Sequence, residues 1–137
     1  MRIFTLLVVL SLGCAPPAAP TTADAPTPSA PQVPTVAALA DVSVADVGAM
    51  DPAQIVLIDV RTPSEFATGR APGAVNMPLS TLQDELSQIP AGAEPYIICQ
   101  SGGRSARATA LLAGNGIAAH NVSGGMSAWV SAGLPTE

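Results

Sequence analysis

Tyr96-Ile97-Ile98-Cys99-Gln100-Ser101-Gly102-Gly103-Arg104-Ser105 is the stretch on which the fold is read. Tyr96 to Cys99 is an apolar run of strand length, as expected of a strand buried on both faces. Gly102-Gly103 lets the backbone turn tightly. Arg104 to Ala113 then reads as a helix, stopped by Gly114-Asn115-Gly116. Strand, short loop and helix thus follow one another directly, and in open α/β sheets ligands bind beyond the carboxyl ends of such strands.

The same rhythm extends outward. Gln54 to Val60 is a second buried-strand candidate, and Thr62-Pro63-Ser64-Glu65 opens a short helix ending near Gly69. Thr as cap, Pro at the first helical position and Glu three after the cap make that start. Pro72-Gly73 leads into a strand over Ala74 to Met77. Leu79, Leu82, Leu86 and Ile89 have helical spacing. Ile117 to Val122 reads as a last strand and Met126 to Ala132 as a last helix. Alternating strands and helices predict an α/β domain of three layers, with a mainly parallel sheet covered by helices on both faces.

The loop has the makings of a reactive site. Its amide N–H groups, with the positive end of the following helix, form a concavity suited to an anion. A thiol at its base has its thiolate stabilised and becomes nucleophilic near neutral pH. Arg104 adds a fork that grips oxyanions. Singly, each feature has a plainer reading: a strand-end Cys as a small buried hydrophobe, Gly-Gly as a tight turn, Arg as solvated surface. Their conjunction on one strand–loop–helix element points to thiolate chemistry.

From about Ala40 to Pro135 the chain resembles the rhodanese family. Ile58-Asp59-Val60-Arg61 with Glu65-Phe66 resembles the family's Asp-x-Arg strand end and following Glu-aromatic pair. Gly69-Arg70-Ala71-Pro72-Gly73-Ala74-Val75-Asn76 resembles its Gly-His-x-Pro-Gly-Ala-x-Asn turn, with Arg70 where His is usual. Cys99 to Arg104 matches its Cys-x-x-Gly-x-Arg loop, and Gly124-Gly125-Met126 with Trp129 its closing Gly-Gly-x-x-x-Trp. The resemblance implies a sulfurtransferase in which Cys99 accepts a sulfane sulfur as a persulfide. Gln100, Ser101, Gly102, Gly103, Arg104 and Ser105 would cradle it and the donor. Arg61 would add a second positive charge, or else pair with Glu65. Asp59 would shape the strand end, and Gly124, Gly125 and Trp129 would serve turns and packing. His120 has no evident partner or role. No metal or cofactor is implied; the reactants would be a small-molecule sulfur donor such as thiosulfate and a thiol or cyanide acceptor.

Two other classes share parts of this pattern. Phosphatases and arsenate reductases use the same Cys–loop–Arg logic but need a larger loop around a tetrahedral oxyanion; here only four residues separate Cys99 from Arg104. A non-enzymatic binding or redox-sensing module would instead use Cys99 in mixed disulfides, although rhodanese-like binding modules usually lack the Cys.

The chain of 137 residues has ten acidic and five basic residues and no lysine. Without basic clusters it has no electrostatic footprint for nucleic acid or anionic lipid headgroups. Met1-Arg2 precedes an apolar run from Ile3 to Leu12, too short for a spanning helix, which needs roughly 20 residues, but suited to the core of a secretory signal. Ser11-Leu12-Gly13-Cys14 resembles the lipobox of bacterial lipoproteins, with Ser11 where Leu is usual. The resemblance implies a signal peptide over residues 1–13, lipid on Cys14, and a location on the periplasmic face of a bacterial membrane. An ordinary cleaved signal would give a secreted periplasmic protein instead. Residues 14–37, rich in Pro, Ala and Thr, cannot bury enough surface to offset their ordering entropy and read as a disordered tether. The domain is then residues 38–137. With Cys14 lipidated, Cys99 is the remaining thiol.

Overall fold

The central strands divide their side chains between two cores. Successive strand residues point to opposite faces, and β2 (Leu57–Asp59) and β4 (Tyr96–Ile98) are apolar on both. Ile58 and Ile97 enter one core with Leu112; Leu57 and Ile98 enter the other with Met126 and Trp129. In this computed structural model residues 40–137 are described, and the anticipated leader, Cys14 and the whole tether lie outside them.

The remaining elements are β1 (Val42–Ser43), α1 (Val44–Gly48), α2 (Pro63–Ala67), β3 (Val75–Asn76), α3 (Leu82–Glu85), α4 (Gly103–Gly114), β5 (His120–Ser123) and α5 (Gly125–Ser131). The five strands lie in the order β1-β5-β4-β2-β3, and every pairing is parallel. α1 and α5 supply the core on one face, α3 and α4 that on the other. The three-layer α/β architecture read from the sequence is therefore the one found.

Two local differences have physical causes. The helix anticipated over Leu79 to Ile89 begins only at Leu82 and tightens into a 3₁₀ turn over Leu86–Gln88. Met77 and Leu79 donate their N–H groups to the carbonyls of Asp59 and Val60, so the chain is still extended alongside β2 at the point where helical spacing starts. β1 and α1 are too short to produce a periodic signal. Ser43 nevertheless caps α1 by accepting from the Asp46 N–H at 3.1 Å, a pattern the sequence carries.

α5 sets the position of the loop after β4. Its first residues donate directly to that loop, Met126 N–H to the Cys99 carbonyl at 2.7 Å and Ser127 N–H to that of Gln100 at 3.0 Å. This approach requires Gly125, whose φ is +57°. A Cβ there would overlap the Cys99 carbonyl oxygen and lie 2.7 Å from the Gln100 carbonyl carbon. Gly125→Ala should cost on the order of 1–3 kcal/mol in urea unfolding. Gly114→Ala, at the end of α4 with nothing within 4 Å of the added carbon, should leave the midpoint unchanged or slightly raised.

Candidate active site

Cys99 follows β4 directly, and its side chain turns into the α4-side core, 1% exposed. The chain reverses at Gly102, φ +99°, and α4 starts at Gly103. This turn aims donors at the sulfur: Sγ accepts from the Gly102 N–H at 3.1 Å and lies 3.4 Å from the Ser105 hydroxyl. That hydroxyl is also 2.9 Å from the Gly102 carbonyl, so its single proton is shared between a carbonyl and the sulfur. Burial pushes the Cys99 thiol up, but the Ser105 hydroxyl and the N–H groups of Ser105, Ser101 and Gly102 outweigh it and bring the thiol below its ordinary value. The result is a buried sulfur that ionises more readily than an ordinary thiol, at the positive end of a 12-residue helix.

Around this loop each guanidinium has a carboxylate. Arg104 meets Glu65 in a two-pronged pair, Nη1 to Oε2 at 2.7 Å and Nη2 to Oε1 at 2.6 Å. Glu65 simultaneously caps α2, its Oε2 accepting from the Thr62 N–H at 2.9 Å and the Thr62 hydroxyl at 2.8 Å. Arg104 first, and Thr62 with it, holds the Glu65 carboxyl well below the usual carboxylate range. Arg61 and Asp59 form a buried pair, 3% and 0% exposed, with Nη2 at 2.7 Å from Oδ2 and Nε donating to both carboxylate oxygens. Arg61 also donates to the Gly69 carbonyl at 2.7 Å and approaches Gln100 Oε1 at 3.4 Å.

One reading of Arg61 changes accordingly. It does not pair with Glu65, whose carboxylate meets Arg104; its Nε and Nη2 go to Asp59 and Gly69, while its Nη1 faces Gln100 beside the cleft. It instead holds the end of β2 against the turn at Gly69 and the Gln100 side chain. Gln100 Nε2 in turn donates to Ser127 Oγ at 3.0 Å. A cleft of about 200 Å³ opens here, lined by Arg61, Thr68, Gly69, Gln100, Met126 and Val130 among others. Ser101 and Gly103 are exposed at the mouth of the loop.

The structure thus gathers Cys99 and Gln100 to Ser105 in one loop, with Arg61 behind it. The sequence reading missed Glu65 as the partner of Arg104. The signal lay in the capping pattern, which put a carboxylate at a fixed point on α2, but the approach of α2 to α4 is a tertiary fact. His120 pairs in register with Tyr96 at the amino end of β4, away from Cys99, and its ring stacks on Tyr96 at 4.7 Å. It has no place in the chemistry of this loop.

The fold and the site together define an all-parallel α/β domain with a cysteine loop at the end of its central strand. A Rhodanese-like domain matches residues 45–132, and the chain belongs to the rhodanese family. It is 38% identical to the sulfurtransferase of Allochromatium vinosum over 86 residues, 62% of this chain and 80% of that protein. It is 43% identical to the chloroplastic thiosulfate sulfurtransferase 16 of Arabidopsis thaliana over 93 residues, 58% of this chain and 78% of that one. The fold is shared with a rhodanese-related protein of Thermoplasma volcanium (TM-score 0.67, 27% identity, covering 72% of this chain and 98% of that one). Relatives named as sulfurtransferases support sulfurtransferase activity at the level of the family.

The lowered thiol has a direct readout. The pH profile of Cys99 alkylation by iodoacetamide should have its midpoint below the ordinary thiol value of about 8.5. Because the shift is downward, reactivity appears at lower pH than for a free thiol. Ser105→Ala removes a donor from the thiolate and should move the midpoint up, slowing alkylation at neutral pH by about a few-fold.

Proposed function

We propose that this protein is a thiosulfate sulfurtransferase-type enzyme that moves a sulfane sulfur from a small donor to a nucleophilic acceptor through a persulfide on Cys99. Thiosulfate is the simplest donor; the acceptor is a thiol, or cyanide in the laboratory. The observation that carries the reading is the Cys99 sulfur itself, buried at the strand end and accepting from the N–H of its own loop, which lowers its thiol.

In the first half-reaction the Cys99 thiolate attacks the outer sulfur of the donor. The donor's S–S bond breaks, its electron pair leaves with the departing group (sulfite from thiosulfate), and a new S–S bond forms on Cys99. In the second, the acceptor attacks the outer sulfur of the persulfide and Cys99 returns as thiolate. Sulfur anions occur at the same place before and after each step, so fixed N–H donors there stabilise the reaction without rearranging. Arg104, locked to Glu65, serves by holding α2 to the start of α4 and keeping the loop in shape.

We also place the protein on the periplasmic face of a bacterial membrane, anchored by lipid on Cys14, with residues 14–37 as tether; two or more acyl chains on one residue give stable anchoring. Cells fed labelled palmitate should yield labelled protein in the membrane fraction. Cys14→Ser should be unlabelled and should leave that fraction; an unlabelled wild-type protein would refute the anchor.

Sulfur transfer is tested by intact mass. Incubation with excess thiosulfate should add one sulfur atom, cyanide should remove it with formation of thiocyanate, and Cys99→Ser should gain nothing. A Cys99→Ser variant that still transfers sulfur would refute the mechanism. Stable mixed disulfides at Cys99 in place of a persulfide would identify a redox-sensing module instead.

A further inference from the structure

Residues 134–137 run from the end of α5 to the turn that follows α2, and they are anchored at both ends. Leu134 donates its N–H to the Trp129 carbonyl at 3.2 Å and packs against the α5-side core. The Trp129 ring N–H donates to the Pro135 carbonyl at 2.8 Å. At the far end Glu137 exchanges main-chain hydrogen bonds with Arg70, at 3.0 and 3.1 Å. Its carboxylate accepts from the Gly73 N–H at 3.3 Å and lies 3.5 Å from Arg70 Nε. Arg70 is itself set over the Phe66 ring of α2, at 4.9 Å. Pro135, Thr136 and Glu137 are nonetheless exposed. Fixing an exposed segment costs chain entropy without building a core, so the anchoring serves position.

What it positions is a wall of the cleft of about 200 Å³. Thr136, between the two anchors, lines that cleft together with Thr68, Met126, Arg61 and Gln100. The cleft adjoins the reactive loop on its α5 flank: Gln100 follows Cys99 directly, and the Met126 N–H holds the Cys99 carbonyl. Arg61 Nη1, 3.4 Å from Gln100 Oε1, the Gln100 amide and the Thr136 hydroxyl give it polar character. Its volume is below the roughly 300–1,000 Å³ of pockets that enclose drug-sized ligands.

We propose that residues 135–137 are a specificity strap for the acceptor half-reaction. With Glu137 latched to the turn at Arg70 and Gly73, Thr136 narrows the cleft to the body of a small polar thiol of about amino-acid size and shuts out larger ones. The inference rests on the sulfurtransferase reading and adds the acceptor's size to it. The acceptor thiolate attacks the outer sulfur of the Cys99 persulfide, the S–S bond breaks, Cys99 leaves as thiolate and the outer sulfur keeps its proton. The rest of the acceptor lies in the cleft during this step.

The test loads the full chain with thiosulfate and follows discharge of the persulfide, by intact mass, with cyanide, cysteine and glutathione. Intrinsic differences among the three cancel when variants are compared. Thr136→Trp fills the cleft and should lower the cysteine constant relative to that for cyanide by about tenfold, the scale on which a pocket discriminates by size. The loss should appear as a higher half-saturating cysteine concentration. Glu137→Pro removes both the N–H and the carboxylate of the latch and should raise the glutathione-to-cysteine ratio several-fold. Glu137→Gln keeps the N–H and a side-chain oxygen for Gly73 and should hold the wild-type ratio. Ratios unchanged in both Thr136→Trp and Glu137→Pro would overturn the strap while leaving sulfur transfer intact. If Glu137→Pro does not fold, Thr136→Trp, at an exposed position, decides alone. A wild-type protein that takes up no sulfur would overturn the sulfurtransferase reading and this inference with it.

Discussion

Gly125 sits where a side chain would occupy the space of the Cys99 carbonyl, and the rest of the reactive end of the sheet depends on that contact. The carbonyls of Cys99 and Gln100 are acceptors that β4 can no longer satisfy once the chain leaves the sheet. α5 satisfies them with the N–H groups of Met126 and Ser127, groups that a helix start leaves free in any case. Each element supplies what the other lacks. The loop is thereby fixed from behind, and its own N–H groups are turned away from α5 toward Sγ. The closing Gly-Gly of the sequence, read as a turn, is in this sense part of the site: it decides which way the loop amides face.

The two ion pairs fix the flanks in different ways. Glu65–Arg104 is about one-third exposed on each side, where solvent screening leaves such a pair on the order of 1 kcal/mol or less. Its worth is geometric: two parallel hydrogen bonds define both distance and plane, and the same carboxylate caps the start of α2. Arg61–Asp59 is buried, so its formation contributes little net stability, but losing one partner would leave the other charged and dry, at about 3–5 kcal/mol. That asymmetry makes the β2 end rigid. Asn76 reinforces it by donating to the carbonyls of Asp59 and Arg61 at 2.9 Å each.

The layers of the fold and the reactive loop were legible in the sequence because both are local in cause. The apolar runs at Gln54 to Val60 and Tyr96 to Cys99 announce two-sided burial, and the Thr62 capping box forms as its residues dictate. What was not legible is pairing between distant charges. Arg61 had carboxylates close by in sequence whereas Arg104 had none between Glu94 and Glu137, and only the placement of α2 beside α4 shows that Glu65 goes to Arg104, 39 positions along the chain. The capping of α2 by its own residues was legible; the choice of carboxylate by Arg61 and by Arg104, one near in sequence and one far, was decided by packing and was not.

A thiol only 1% exposed raises the question of how a substrate meets it. Burial by itself opposes ionisation, and a thiolate so enclosed would be both costly and hard to reach. The loop answers the first difficulty with hydrogen bonds that exceed the desolvation penalty. Under the persulfide reading the chemistry answers the second. Once Cys99 carries a second sulfur, the atom to be delivered lies one bond beyond Sγ. An acceptor attacks that outer atom, while the inner sulfur, the leaving group of that step, stays where the N–H groups stabilise its returning charge. A depth that hinders reaction at the bare thiol therefore places each sulfur where its role in transfer requires it.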